Sequence, residues 1–171
     1  MLAVSFAAKA QSKLIFKDKF MYTDVQVFNE TKRHSIPSLI DTGCSLCIID
    51  SIFAIDSCGI KEDELQTIHV NQTKDKISSA FIDSIFFCGK TYHKVYCLVA
   101  DLTGHYQKYA PKFIVGANIL SSGAWKFDME KNIVEPYDSN NKAKGTIYKW
   151  KNHEDYPDAV SYTHLTLPTI A

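Results

Sequence analysis

The chain has 171 residues, a formal net charge of zero and an ordinary globular composition, 46% hydrophobic and 22% charged. That length suits one domain with its own apolar core, with room for a tail, and needs no metals or disulfides to stabilise it. Balanced charge with no Lys/Arg run excludes the broad basic field that nucleic-acid binding draws on. The run of ~18 apolar residues that a membrane-spanning helix needs is missing too.

Residues 1–19 form an N-terminal segment. Leu2 to Ala8 is a short apolar run, and Ala8-Lys9-Ala10 has the small-x-small form of a signal-cleavage site, although a basic n-region is missing. The segment reads either as the remnant of an export signal or as a frayed start or first strand. Location therefore stays open between exported (periplasmic or cell surface) and cytoplasmic.

From residue 20 the pattern is that of β-structure. Phe20 to Phe28 alternates, with Met21, Thr23, Val25 and Val27 on one face and Tyr22, Asp24, Gln26 and Phe28 on the other. A polar turn over Asn29 to Lys32 leads to a strand over Ser35 to Ile40, where Pro37 suits an edge or a strand start. Leu46 to Asp50 reads as a short buried strand. Ser51 is placed to cap a short helix over Ile52 to Ser57 that stops at Cys58-Gly59. Leu65 to Val70 and Ile77 to Phe81 are strands on either side of a polar tip, Asn71 to Lys76. Ile82 to Cys88 and Thr91 to Val99 flank Gly89-Lys90, which reads as a type II′ turn. In that register Cys88 and Cys97 are not opposite and do not bridge. Phe113 to Val115 is a short apolar strand, Asn118 to Ser122 forms one or two helical turns, and Trp125 to Asp128 with Ile133 to Tyr137 makes a last hairpin. Many short strands separated by turn signals point to an all-β, barrel-like domain over residues 20–137. Residues 138–160 read as a polar tail. Residues 161–171 resemble translated sequencing-adapter DNA and are set aside as non-native.

Chemistry concentrates in Leu39-Ile40-Asp41-Thr42-Gly43-Cys44-Ser45. An apolar strand that ends in Asp-Thr-Gly puts a carboxylate at a sharp turn. The Thr hydroxyl can donate and accept, so it can brace a second loop. The Gly lets another backbone approach. The tripeptide alone arises by chance in about one chain of this length in fifty at average residue usage, so its weight comes from context.

That context resembles the retropepsin-like aspartic proteases, the bacterial gag-polyprotein-like type in particular. Ile36 to Ile49 matches their active-site segment. Ile114-Val115-Gly116-Ala117-Asn118-Ile119-Leu120 matches their second landmark, two hydrophobic residues and a Gly ahead of a short helix. Trp125 to Ile133 is similar to their last hairpin. The resemblance implies a closed acid-protease-type β-barrel with one or two short helices, and an Asp loop at a dimer interface. It implies Asp41, Thr42 and Gly43 as the catalytic loop, and a flap that includes Asn71, Gln72, Thr73 and Lys74. Aspartic proteolysis needs two carboxylates that share a proton. Asp50-Ser51-Ile52, Asp56-Ser57-Cys58 and Asp83-Ser84-Ile85 all lack the Gly, so the second carboxylate is expected from a homodimer.

Other residues read more plainly. Asp41 has a bland alternative as the Asp of an Asx-turn. Cys44-Ser45-Leu46-Cys47 has redox or half-zinc spacing, but it sits between strands rather than at a helix start, and packing is the favoured reading. Six scattered histidines form no metal motif. Trp125 and Phe86-Phe87 read as core. The expectation is a hydrolase, an aspartic endopeptidase acting on peptide or protein substrates, with no cofactor, no metal, no nucleic acid and no membrane span. The alternative is a non-catalytic retropepsin-like dimerisation or peptide-binding domain.

Overall fold

The computed structural model describes residues 10–17, 20–61, 65–69, 76–103, 110–137, 151–153 and 156–158. The expected flap residues Asn71, Gln72, Thr73 and Lys74 lie outside that set, as do residues 161–171. Strands β1 (Ser12–Lys17), β2 (Phe20–Asn29), β3 (Lys32–Ile40) and β4 (Cys47–Asp50) precede a π-helical turn at Phe53–Ser57. Then come β5 (Gln66–His69), β6 (Lys76–Phe87), β7 (Lys90–Ala100), β8 (Phe113–Val115) and helix α1 (Ala117–Leu120). The hairpin β9 (Trp125–Asp128) and β10 (Ile133–Pro136) follows, and β11 (Lys151–His153) pairs with β12 (Tyr156–Asp158) in a separate two-stranded sheet. Among the described residues no helix is long and apolar enough to cross a membrane.

A closed barrel arises because β2 divides one edge between two partners. Its first half, Phe20 to Thr23, pairs with Leu14 to Lys17 of β1. Its second half, Gln26 to Phe28, pairs with Ser84 to Phe86 of β6. The other edge carries β3 along its length. The ring then runs β2, β3, β8, β4, β7, β6 and back to β2, six strands in all. Closure removes the open edges of those strands. The alternation of β2 holds: Thr23, Val25 and Val27 are fully buried, while Asp24 is exposed. Val25 and Val27 join Ile36, Ile49, Ile82, Ile85, Phe87 and Phe113 in the main core.

β8 is the strand on which the site depends. It enters between β3 and β4, which are neighbours in sequence. It runs parallel to β3, with Leu39 opposite Ile114 and Ile40 opposite Val115. It runs antiparallel to β4, with Ile48 opposite Ile114 and Ile49 opposite Phe113. A strand enclosed this way has no polar face, which is why it reads Phe-Ile-Val and is wholly buried. Immediately after it, Gly116 passes under the Asp41 loop. A Cβ there would lie 2.3 Å from the Leu46 carbonyl oxygen and 2.7 Å from the Cys47 nitrogen. The φ of −93° is ordinary, so close approach of two backbones, not conformation, demands glycine.

Several local expectations change. Ser12–Lys17 is a strand bonded to both β2 and β10. Ile77 to Phe81 and Ile82 to Cys88, expected as two strands, are one continuous β6. The β6–β7 turn is not Gly89-Lys90. Phe87 pairs with Lys90, so Cys88 and Gly89 are the loop residues, with φ of +48° and +77°. Two positive φ values are the type I′ pattern that suits strand twist. Cys88 accepts this conformation with its side chain buried and its thiol donating to the Val134 carbonyl at 3.6 Å. The helical turn after β4 is capped by Asp50 rather than Ser51: Asp50 Oδ1 accepts the Phe53 amide at 3.0 Å. Of Phe86 and Phe87, only Phe87 is in the core, because neighbouring strand residues face opposite ways.

Gly116→Ala is expected to destabilise the fold by about 3 kcal/mol, since backbone meets backbone and no side chain can swing aside. Urea unfolding of the variant checks this, and a loss below ~1 kcal/mol would show that the crossing is looser than described.

Candidate active site

β3 delivers Asp41 to the end of the barrel. Its last residue, Ile40, pairs with Val115, and the Asp41 amide continues that ladder by donating to the Val115 carbonyl at 3.1 Å. The chain then turns sharply. Asp41 Oδ1 accepts the Gly43 amide at 2.8 Å, and the Cys44 amide points back to the Asp41 carbonyl at 3.4 Å. The first of these bonds is an Asx-turn. Asp41 Oδ2 takes a different donor, the Cys44 thiol at 3.4 Å. A carboxyl group with a donor on each of its oxygens is held in orientation, half-exposed at the barrel end.

The loop is supported from beneath by the start of α1. Ala117 donates its amide to the Cys44 carbonyl at 2.7 Å, and Asn118 donates its amide to the Ser45 carbonyl at 3.1 Å. The Asn118 side chain then reaches both ways. Its Oδ1 accepts the Cys47 amide at 2.9 Å, and its Nδ2 donates to the Tyr96 carbonyl at 3.0 Å. The Gly116 amide donates to Cys47 Sγ at 3.3 Å. These bonds tie together the two sequence landmarks, residues 36–49 and 114–120. Sequence reading placed Asn118 in a helix without a role. The only signal for it was an amide side chain, donor and acceptor together, just after Ile-Val-Gly.

Thr42 differs from its neighbours. Its hydroxyl is buried and has no hydrogen-bond partner among the described residues. A buried hydroxyl without a partner costs on the order of 1–3 kcal/mol, so a native fold rarely leaves one unpaired without reason. Gly43 lies beside it with room limited by Asp41: a Cβ would sit 3.2 Å from Oδ1.

The remaining sequence candidates disperse. Asp50 is buried, with Oδ2 accepting the Leu102 amide at 3.3 Å besides its capping bond. Asp83 Oδ2 accepts the Glu30 amide at 2.6 Å. All five cysteines are free. Cys47 faces Cys97 across the β4–β7 ladder and is fully buried. Cys44 is not simply packing, since its thiol touches the carboxylate. Among the described residues, no group of three or more His, Cys, Asp or Glu is placed to hold a metal ion. A small apolar cluster borders the loop: Tyr22, Leu39, Leu102 and Ile114, with Ile15, Cys44 and Ile48 packed against it.

Solved structures similar to this chain include a retropepsin-like aspartic protease from Rickettsia conorii. It is 19% identical, with a TM-score of 0.53, over 72% of this chain and 86% of that one. A second is the retroviral protease-like domain of Ddi1 from Leishmania major, 15% identical with a TM-score of 0.45, over 73% of this chain and 99% of that one. No protein-family model and no curated protein matches the chain. The fold is retropepsin-like, mostly β, with the expected closed barrel and, among the described residues, two short helices.

Burial holds the Cys44, Cys58 and Cys88 thiols protonated. It pushes Cys44 up from 9.0 to about 12, helped by the charge of Asp41 and the hydrogen bond to it. Burial likewise raises Cys58 and Cys88 to about 11. An unfolded chain ionises these groups first, so their contribution to stability is complete below pH ~9 and is lost as pH rises toward 11–12. At pH 8.5, iodoacetamide is expected to alkylate native Cys44 about a thousandfold more slowly than the urea-unfolded chain, read by mass spectrometry. Equal rates would refute the burial assignment.

Proposed function

We propose that the protein is an aspartic endopeptidase that works as a homodimer, with Asp41 of each copy meeting across a two-fold axis. The observation that carries this reading is the Asp41 loop, a carboxylate with a donor on each oxygen next to a Thr42 hydroxyl that the described residues leave unpaired. A symmetry-related loop would supply that hydroxyl's partner and, with it, the second carboxylate. The retropepsin-like fold supports the same reading. Two adjacent carboxylates cannot both ionise cheaply, so they share one proton and titrate as a pair. The ionised member takes a proton from water, which attacks the scissile carbonyl. The protonated member polarises that carbonyl and protonates the leaving amine. In this mechanism Thr42 and Gly43 join the two halves, and Asp41 does the chemistry.

Asp41→Asn is expected to abolish cleavage of a diverse peptide library between pH 3 and 7 while leaving the dimer folded. Cleavage that survives the substitution would sink the mechanism. A dimer that binds peptides but cuts none at any pH would identify a non-catalytic peptide-binding domain instead. Thr42→Ala removes two hydroxyls per dimer and is expected to weaken dimerisation about tenfold to a hundredfold, measured by sedimentation. An unchanged dissociation constant would place Thr42 away from the interface.

A further inference from the structure

Four of the five cysteines are buried, and the fold brings two of them face to face. β4 and β7 run parallel, and Cys47 is the Cα partner of Cys97 in their ladder. Partners on neighbouring strands point to the same side of a sheet. Both side chains therefore enter the barrel, where neither residue has exposed surface. Neighbouring strands lie about 4.8 Å apart. That spacing falls inside the Cα separation of roughly 4.4–6.8 Å that disulfides span. The Cys47 thiol is also a hydrogen-bonding neighbour of the Cys97 thiol.

The other cysteines have different surroundings. Cys44 turns toward Asp41. Cys58 closes the π-helical turn, its amide donating to the Phe53 carbonyl at 3.0 Å. Cys88 stands in the β6–β7 turn with its thiol on the Val134 carbonyl. Cys97 lies in the same hairpin but pairs there with Ala80, so its facing cysteine comes from β4 alone.

We propose that Cys47 and Cys97 form the one disulfide of this protein when the chain folds against a small disulfide oxidant, covalently joining β4 to β7. This inference stands apart from the endopeptidase reading, because it needs neither turnover nor a second copy. One protein thiolate attacks the oxidant, forming a mixed disulfide and releasing one small thiol. The second protein thiolate attacks the protein sulfur of that mixed disulfide, which closes the Cys47–Cys97 bond and releases the other small thiol. Two protein thiols lose two protons and two electrons, and the oxidant takes them up as two thiols. The step belongs to the folding chain. Once the barrel is closed, both sulfurs are shielded from solution, and burial pushes the Cys97 thiol further from its reactive thiolate form.

The bond lies where the Asp41 loop is supported. The Cys47 amide is held by Asn118 Oδ1 at 2.9 Å, and its sulfur accepts the Gly116 amide at 3.3 Å. A tie from there to β7 closes a loop of about fifty residues, which restricts the unfolded chain far more than the folded one.

The test refolds the full, reduced chain from urea at about pH 8, either in mixed reduced and oxidised glutathione or in reduced glutathione alone. Free thiols are blocked with N-ethylmaleimide, and linked peptides are mapped by mass spectrometry. The expected product of the mixture has one intramolecular link, Cys47 to Cys97, with Cys44, Cys58 and Cys88 blocked as thiols. It is expected to melt about 5–15 °C above the reduced protein. Any other link as the main product, or Cys47 and Cys97 both blocked, overturns the proposal. So does an oxidised protein that melts at or below the reduced one, because the bond would then not fit the β4–β7 register. Cys97→Ala is expected to abolish both the link and the rise in melting temperature. A rise that survives this substitution belongs to another pair and overturns the assignment. Where the alanine variant does not fold, the peptide map of the parent chain decides.

Discussion

Two backbones cross almost in contact where Gly116 runs beneath Leu46 and Cys47, and the rest of the site depends on that crossing. β8 must lie between β3 and β4 for it to occur. Once β8 is there, Val115 has a carbonyl to receive the Asp41 amide, and α1 begins under the loop with two amides free to donate to it. The first amides of a helix have no partner within the helix. Here two of them satisfy carbonyls of the turn that holds Asp41. A side chain at position 116 would force the strand and helix away from the loop and remove that support together with the ladder.

The same arrangement explains why a short loop can hold a carboxylate in place while half-exposed. Nearly every polar group around it is satisfied from within the chain. Asn118 spans from Cys47 to Tyr96, the Gly116 amide meets the Cys47 sulfur, and both oxygens of Asp41 have donors. Against that background the unpaired Thr42 hydroxyl is informative. A loop braced this thoroughly has no slack with which to turn the hydroxyl toward its own backbone.

The cysteines divide by position rather than by chemistry. Cys47 and Cys97 lie opposite each other on adjacent parallel strands inside the barrel, and Cys58 and Cys88 stand in turns with their side chains buried. Cys44 alone is half-buried and borders both the Asp41 loop and the apolar cluster beside it. One C-x-x-C spacing therefore contains two different residues, one that fills space and one that contacts an acid. Strand alternation does not separate them, because Cys44 stands in the turn and not yet on β4.

Much of this was legible in the residues. The alternation of Phe20 to Phe28, the apolar run Phe113 to Val115 and the punctuation by Gly and polar turns located the strands, because side-chain period and turn chemistry are local properties. Asp-Thr-Gly after an apolar strand, paired with Ile-Val-Gly downstream, located the loop and its support. Other features depended on distant partners. The Cys88-Gly89 turn was settled by pairing along the whole of β6 and β7, which outweighs the preference of one glycine for one loop position. Asp50 replaced Ser51 as the cap because its carboxylate reaches both Phe53 and Leu102. The roles of Asn118 and Cys44, and the isolation of the Thr42 hydroxyl, came only with the fold. The Asp41 loop as the candidate site was legible in the sequence. What holds its two oxygens, and what its neighbour still lacks, was decided by tertiary structure, since hydrogen bonds between segments far apart in the chain leave no periodic trace in either one.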